Sequence, residues 1–202
     1  MKTKLILSLT IIILNTLSFA QSRKDSLENK LLQETSARAQ FDLISSLVII
    51  SANQDESEFN EYIDKGWKIA NELNNDSLKV KMHLLEASPG KAARDDQERI
   101  ESLMQGAKLA SKIKDSVSLA SANYSVGAFY FWKQNPALAL KYMKLAMESY
   151  PESGNPLKKA TYTMAYGVVL QNENPKEAVQ YHEKALRIKR KANAWKHIPI
   201  SL

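Results

Sequence analysis

Residues 135–151 read NPALALKYMKLAMESYP, and the placing of their small side chains decides the fold. Ala139 and Ala146 stand seven positions apart, Met143 lies between them, and Pro151 follows. On a helix, positions four and seven apart share a face, so this one carries two shallow points two turns apart with an apolar side chain between them. Helices pack closely only where one of the facing side chains is small. Pro151 cannot continue the helix and marks its exit. The preceding segment, SLASANYSVGAFYFWKQ (118–134), supplies the partner. In it, Gly127 lets a second helix approach and Tyr130 packs beneath that helix. Lys133-Gln134-Asn135 forms the turn between the two, and Pro136 suits a first helical turn.

The pattern recurs. Stepping back from Ala146 by 40 gives Gly106 and then Gly66, and stepping forward by 39 gives Ala185. Three residues before each stand Ile63, Leu103, Met143 and His182. KGWKIANELNNDS (65–77) echoes QGAKLASKIKDS (105–116), and PKEAVQYHEKALRIK (175–189) echoes PALALKYMKLAMES (136–149). The first small position reads Phe59, Arg99, Ala139 and Ala178, so the early copies are degenerate. A fixed period of this length marks stacked helical units that bury a core only against their neighbours.

The expected fold is all-α. A lead-in helix covers about 25–34, and helix pairs follow at 36–53 with 56–74, 77–88 with 95–114, 116–133 with 136–149, and 157–172 with 175–191. Ala87-Ser-Pro-Gly90 ends a helix early and opens a longer loop running to about Asp95. The corresponding organisation is a signal segment at 1–20, a lead-in at 21–35, repeats at 36–191, and the start of a further, incomplete repeat at 192–202.

Val126, Gly127, Tyr130, Ala139, Met143, Ala146 and Pro151 together resemble the tetratricopeptide repeat, in the exported form known from bacteria. The departure is Asn123, where the family usually has Trp. The spacing exceeds the roughly 34 residues of the standard repeat, and the surplus is assigned to the turns Asn74-Asn75-Asp76, Lys114-Asp115 and Glu152-Ser153-Gly154-Asn155. The resemblance implies an α-solenoid of antiparallel helix pairs, about four repeats long, that binds a protein or peptide segment in a concave groove. By the family's positions the groove residues are Tyr124, Ala128, Phe131 and Trp132 in the best unit. The next unit offers Met164, Val168 and Gln171, with its phase one residue off. Tyr124 or Phe131 can equally pack between neighbouring repeats. The subclass that grips a terminal carboxylate uses Lys, Asn and Arg; Tyr124, Ser125 and Ala128 lack that clamp.

Outside the repeats, MKTKLILSLTIIILNTLSFAQ has the layout of an export signal, with Lys2 and Lys4 before a short apolar run and Ser18 and Ala20 before Gln21. The expected location is periplasmic or at the cell envelope. With no cysteine in the chain, disulfides and lipid attachment through a thiol are excluded. The formal charge is +6, and residues 157–202 carry nine Lys or Arg against three Glu, which accounts for all of it. The densest run is Arg187-Ile-Lys189-Arg190-Lys191, which suits a solvated helix end and permits weak contact with a membrane surface. No Gly-rich or aromatic nucleic-acid motif accompanies it, so no nucleic-acid partner is expected. Nor is there a nucleophile elbow, phosphate loop or dinucleotide fingerprint, and His83, His182 and His197 stand at no metal-ligand spacing. The expectation is a non-catalytic interaction scaffold without a cofactor. The alternative is a fragment of an extracytoplasmic sensory domain from a membrane-bound histidine kinase or helix-turn-helix regulator. The tail places Trp195, Ile198, Ile200 and Leu202 where a polar cap normally closes a repeat stack, as expected of a fragment of a longer protein, of a tail that packs back, or of one that binds a partner.

Overall fold

The computed structural model describes residues 22–88, 90 and 95–194. Residues 1–21, where the export signal is expected, Pro89, residues 91–94 and the tail 195–202 lie outside the described residues. Among the described residues there is no strand. Helix α1 covers residues 22–33. It is followed by α2 (Ala37–Ser51), α3 (Glu56–Glu72), α4 (Asp76–Glu86), α5 (Asp96–Lys112), α6 (Ser116–Trp132), α7 (Pro136–Ser149), α8 (Pro156–Leu170) and α9 (Pro175–Ala194). These elements match the helix pattern expected from the sequence to within a few residues. Residues 192–194 belong to α9, and the rest of the further repeat expected at 192–202 lies outside the described residues.

Most of the helices begin where a short polar side chain satisfies the free N–H groups of the first turn. Asp55 accepts from Glu58 N at 3.0 Å, and Asp95 from Gln97 N at 2.8 Å and Glu98 N at 2.9 Å. Asp115 accepts from Ser118 N at 3.0 Å, and Asn135 from Leu138 N at 3.2 Å. Asn155 serves Leu157 and Lys158, and Asn174 serves Glu177. Pro136, Pro156 and Pro175 open α7, α8 and α9, where a missing N–H costs nothing.

Three helices end alike. Asn74, Lys114 and Gln134 take positive φ values of 44°, 57° and 54°. The next residue's N–H then reaches back five positions, from Asn75 to Ala70 O (3.1 Å), Asp115 to Ala110 O (3.0 Å) and Asn135 to Tyr130 O (2.9 Å). This closes the carbonyl end of the helix and reverses the chain in three residues. It also corrects the expectation that the surplus over a standard repeat lies in the turns. The α3–α4 and α5–α6 turns are minimal, and the length sits in α3, α5 and α6, each 17 residues long. Among the fully described connections the α7–α8 one, Tyr150 to Asn155, is the longest, so the surplus assigned to Glu152–Asn155 does lie in a turn.

Two compact units result, one from the chain up to Asn75 with Leu85–Arg94, the other from Asp76–Leu84 with Asp95 onward. In the first, α2 packs on α3. Phe41, Ile44, Leu47 and Val48 of α2 and Phe59, Ile63 and Ala70 of α3 are buried, each large side chain being worth about 1.5–3 kcal/mol when withdrawn from water. α1 is tied to α3 through Lys24 Nζ, which donates to Glu58 Oε2, and through Tyr62 Oη, which donates to Glu28 Oε1. Trp67 Nε1 donates to Glu86 Oε1 at 2.8 Å in the same unit.

In the second unit α5 packs on α6, α6 on α7, α7 on α8 and α8 on α9. Ala146 and Ala185 are fully buried, and Gly106 here and Gly66 in the first unit are buried. Of the residues three earlier, Ile63, Leu103 and Met143 are buried, and His182 is half-buried. Gly106 lies against α4, where an added Cβ would stand 3.0 Å from His83 Cβ. Gly127 and Gly167, 40 residues apart, do the same for α7 and α9.

Candidate binding surface

Helices α6 and α8 begin 40 residues apart, at Ser116 and Pro156, whereas α7 and α9 begin 39 apart, at Pro136 and Pro175. The one-residue slip therefore falls in the α8–α9 turn and not within the first helices. Tyr124, Ala128 and Phe131 correspond without offset to Met164, Val168 and Gln171. Within each helix the spacing is 0, 4 and 7, so each trio shares one face.

Exposure along the two faces is graded. Tyr124 and Met164 are half-buried, as is Ala128. Val168 and Phe131 are each 42% exposed, and Gln171 is exposed at the end of α8. Trp132 is 80% exposed and meets the Phe131 ring edge-on at 5.9 Å between centroids. The same register extends towards the helix starts through Val117 and Leu157, each 40% exposed, which the sequence reading did not single out. Their signal was present as two apolar residues seven positions before Tyr124 and Met164.

Tyr124 is anchored from beneath. Its ring lies 5.2 Å from that of Tyr162 on α8, and Tyr162 in turn meets Tyr150 edge-on at 5.2 Å. These rings surround buried Ala120. Tyr162 Oη lies 3.2 Å from Ser121 Oγ, and burial pushes the Tyr162 phenol above its usual range. Tyr124 thus joins neighbouring helix pairs, while Phe131 and Trp132 project further. Ala128 packs against the apolar cluster of Ala139, Met143, Tyr166 and Val169. At the far end of α6, Lys133 pairs with Asp96 and sits 5.9 Å from the Phe129 ring centre, with the Arg99 guanidinium 5.6 Å from the same ring. Those contacts hold the last turn of α6, which carries Phe131 and Trp132.

His182 lies against Gly167, where an added Cβ would meet its ring at 3.1 Å, so this imidazole packs between α8 and α9. Among the described residues no group of His, Asp and Glu side chains is arranged to hold a metal ion. No helix among them is long and apolar enough to cross a membrane.

This geometry defines an all-α, tetratricopeptide-like helical repeat fold of the α-solenoid class, in which neighbouring helices meet at small residues and the first helix of each pair keeps one face open. Residues 118–191, from early α6 to late α9, match the family model described as tetratricopeptide repeat. Among solved structures, the crystal structure of BtubC (BKLC) from P. vanneervenii is similar in fold: TM-score 0.60 at 13% sequence identity, over 89% of this chain and 76% of that one. No curated protein matches the chain in sequence. Tetratricopeptide repeats generally mediate protein–protein interaction, and such folds are typically non-catalytic.

Proposed function

We propose that this chain is an interaction scaffold that binds an extended or helical segment of a partner protein across the paired faces of α6 and α8. The observation that carries this reading is the unbroken 40-residue register of Val117/Leu157, Tyr124/Met164, Ala128/Val168 and Phe131/Gln171, which leaves apolar side chains half-exposed on two consecutive first helices. Scattered exposed apolar residues are ordinary; aligned ones flanked by an exposed Trp–Phe pair make a contact surface. Tyr124, Phe131 and Trp132 offer large, stiff contact areas of the kind that anchor bound segments. Export to the periplasm or cell envelope is part of the proposal, supported by the layout of residues 1–20.

The test is a photoreactive amino acid placed at Phe131 or at Val168 in the full chain, expressed in its own host and irradiated. The expected result is one discrete adduct shared by both positions and absent when the probe replaces exposed Ile49. Adducts of equal yield from all three positions, or none, overturn the proposal. Fractionation of a C-terminally tagged chain tests export, which cytoplasmic recovery would contradict.

A further inference from the structure

A cleft opens where the start of α8 meets the last turns of α9, with a volume of about 640 Å3. Its walls are Lys159 and Pro156 from α8, Lys184, Ile188 and Lys191 from α9, and Glu152 from the α7–α8 connection, with Ala192 at its end. Lys184, Ile188 and Lys191 are spaced 0, 4 and 7, so α9 turns one face of two cations around an apolar centre into the recess. Three lysines therefore oppose one carboxylate. The cleft lies apart from Phe131 and Trp132, which sit at the opposite end of a first helix.

Glu152 shows what the cleft accepts. Its carboxylate pairs with Lys159 although Glu152 itself is largely exposed, at 92% of its side chain. The hydrogen bond from Lys159 and then its charge, with a smaller contribution from Lys184, hold the Glu152 carboxyl below its ordinary range. Among the described residues Lys184 and Lys191 form no ion pair with a carboxylate, so positive charge remains after Glu152 is accommodated. A recess with an apolar floor suits side chains that enter it. A bilayer surface or a nucleic-acid backbone is met by projecting cations, such as the neighbouring Arg187 and Arg190.

We infer that this cleft docks an acidic peptide segment of a protein partner, one carboxylate bridging Lys184 and Lys191, an adjacent apolar side chain resting on Ile188, and Glu152 acting as a resident competitor for Lys159. Charge complementarity in such a recess governs both affinity and its salt dependence.

The test uses the full chain and a fluorescein-labelled peptide of sequence Glu-Glu-Leu-Glu-Glu, read by fluorescence anisotropy at low salt. Lys184→Glu with Lys191→Glu is expected to weaken binding about tenfold or more, because two attractions become repulsions. Glu152→Gln is expected to strengthen it by about threefold, because a competing carboxylate is removed. Lys158→Glu with Lys176→Glu, an equal change of charge on exposed residues outside the cleft, is expected to alter it less than about twofold. Ile49→Ala, at an exposed residue of α2 outside the cleft, leaves it unchanged. All substituted lysines and Glu152 are on the surface, so circular dichroism confirms that the variants fold. Equal loss in both charge-reversal pairs, no binding by the native chain, weaker binding by Glu152→Gln, or binding of phosphatidylserine vesicles with the same dependence on Lys184 and Lys191 would each overturn the assignment.

Discussion

Met143 Cγ lies 3.0 Å from where a Cβ on Gly127 would stand, and the Met143 backbone nitrogen lies 3.1 Å from the same point. The side chain can yield, but the backbone of α7 cannot do so without moving the helix. This contact fixes how closely α6 and α7 approach. Forty residues on, Gly167 stands equally close to Tyr181 Cβ, at 3.2 Å.

Gly127→Val is accordingly expected to lower stability by about 2 kcal/mol or more through overpacking, and Gly127→Ala by less, because improved helix propensity offsets part of the cost of the same backbone contact. Combining Gly127→Val with Met143→Ala is expected to cost less than the sum of the single changes, since the second makes room for the first. Urea denaturation of the four chains measures this, and strict additivity would show that the two residues do not share the contact.

Lys114 and Gln134 adopt a left-handed backbone that glycine takes without strain. Lys114→Gly and Gln134→Gly are each expected to raise stability by about 0.5–1 kcal/mol, and by roughly the sum together. A rise in the urea midpoint with an unchanged slope confirms this. Destabilisation would mean that another contact of these side chains outweighs the backbone term.

Burial raises the phenol pKa of Tyr162 and Tyr166 above their ordinary value, and Tyr62 is raised further by burial and by its hydrogen bond to Glu28. A raised folded-state pKa means that the native chain keeps these protons when the unfolded chain has lost them. The stabilisation is complete below the unfolded tyrosine pKa, near 10, and is lost as pH rises beyond it. Stability is expected to fall above about pH 10, and Tyr162→Phe with Tyr166→Phe to flatten that fall. Denaturation midpoints across alkaline pH, with tyrosinate absorbance followed in parallel, provide the check.

Lys24 is 6% exposed and is held by Glu58, with Glu28 3.9 Å away. Removing a buried ion's main partner costs more than replacing the ion by an apolar chain of similar length. Glu58→Gln is expected to loosen α1 more than Lys24→Met does. Amide hydrogen exchange over residues 22–33 reads the difference, and faster exchange in Lys24→Met than in Glu58→Gln would reverse the assignment.

What could be read from the sequence was whatever steric contact forces into a regular spacing. Ala146, Gly106 and Ala185 were legible because close helix packing tolerates little else, and Pro136 because its fixed φ suits a first helical turn. Surplus residues were misplaced in the α3–α4 and α5–α6 turns because Lys114 gives no compositional sign of a left-handed, three-residue reversal and Asn74 only a weak one. The Lys159–Lys184–Lys191 cleft joins positions 25 and 32 apart whose only sequence signal was a general excess of positive charge. Of the candidate surface, Tyr124, Ala128 and Phe131 could be placed on one face, but helix periodicity could not say that Tyr124 is braced by Tyr162 while Trp132 stands in solvent.

The recurring close approach of paired helices can be measured directly because the native chain has no cysteine. A Cβ on Gly106 would stand 3.0 Å from His83 Cβ, and one on Gly167 3.2 Å from Tyr181 Cβ, both short of the roughly 3.5–4.5 Å of a disulfide by an amount that a small helix shift supplies. In the full chain, Gly106→Cys with His83→Cys and Gly167→Cys with Tyr181→Cys are expected to form intramolecular disulfides on mild oxidation, seen as mobility shifts without reductant. The crossed pair Gly106→Cys with Tyr181→Cys is expected to remain reduced. If the crossed pair closes, or if both matched pairs stay open in a folded chain, the helices are not paired in this register and the proposed binding face does not exist.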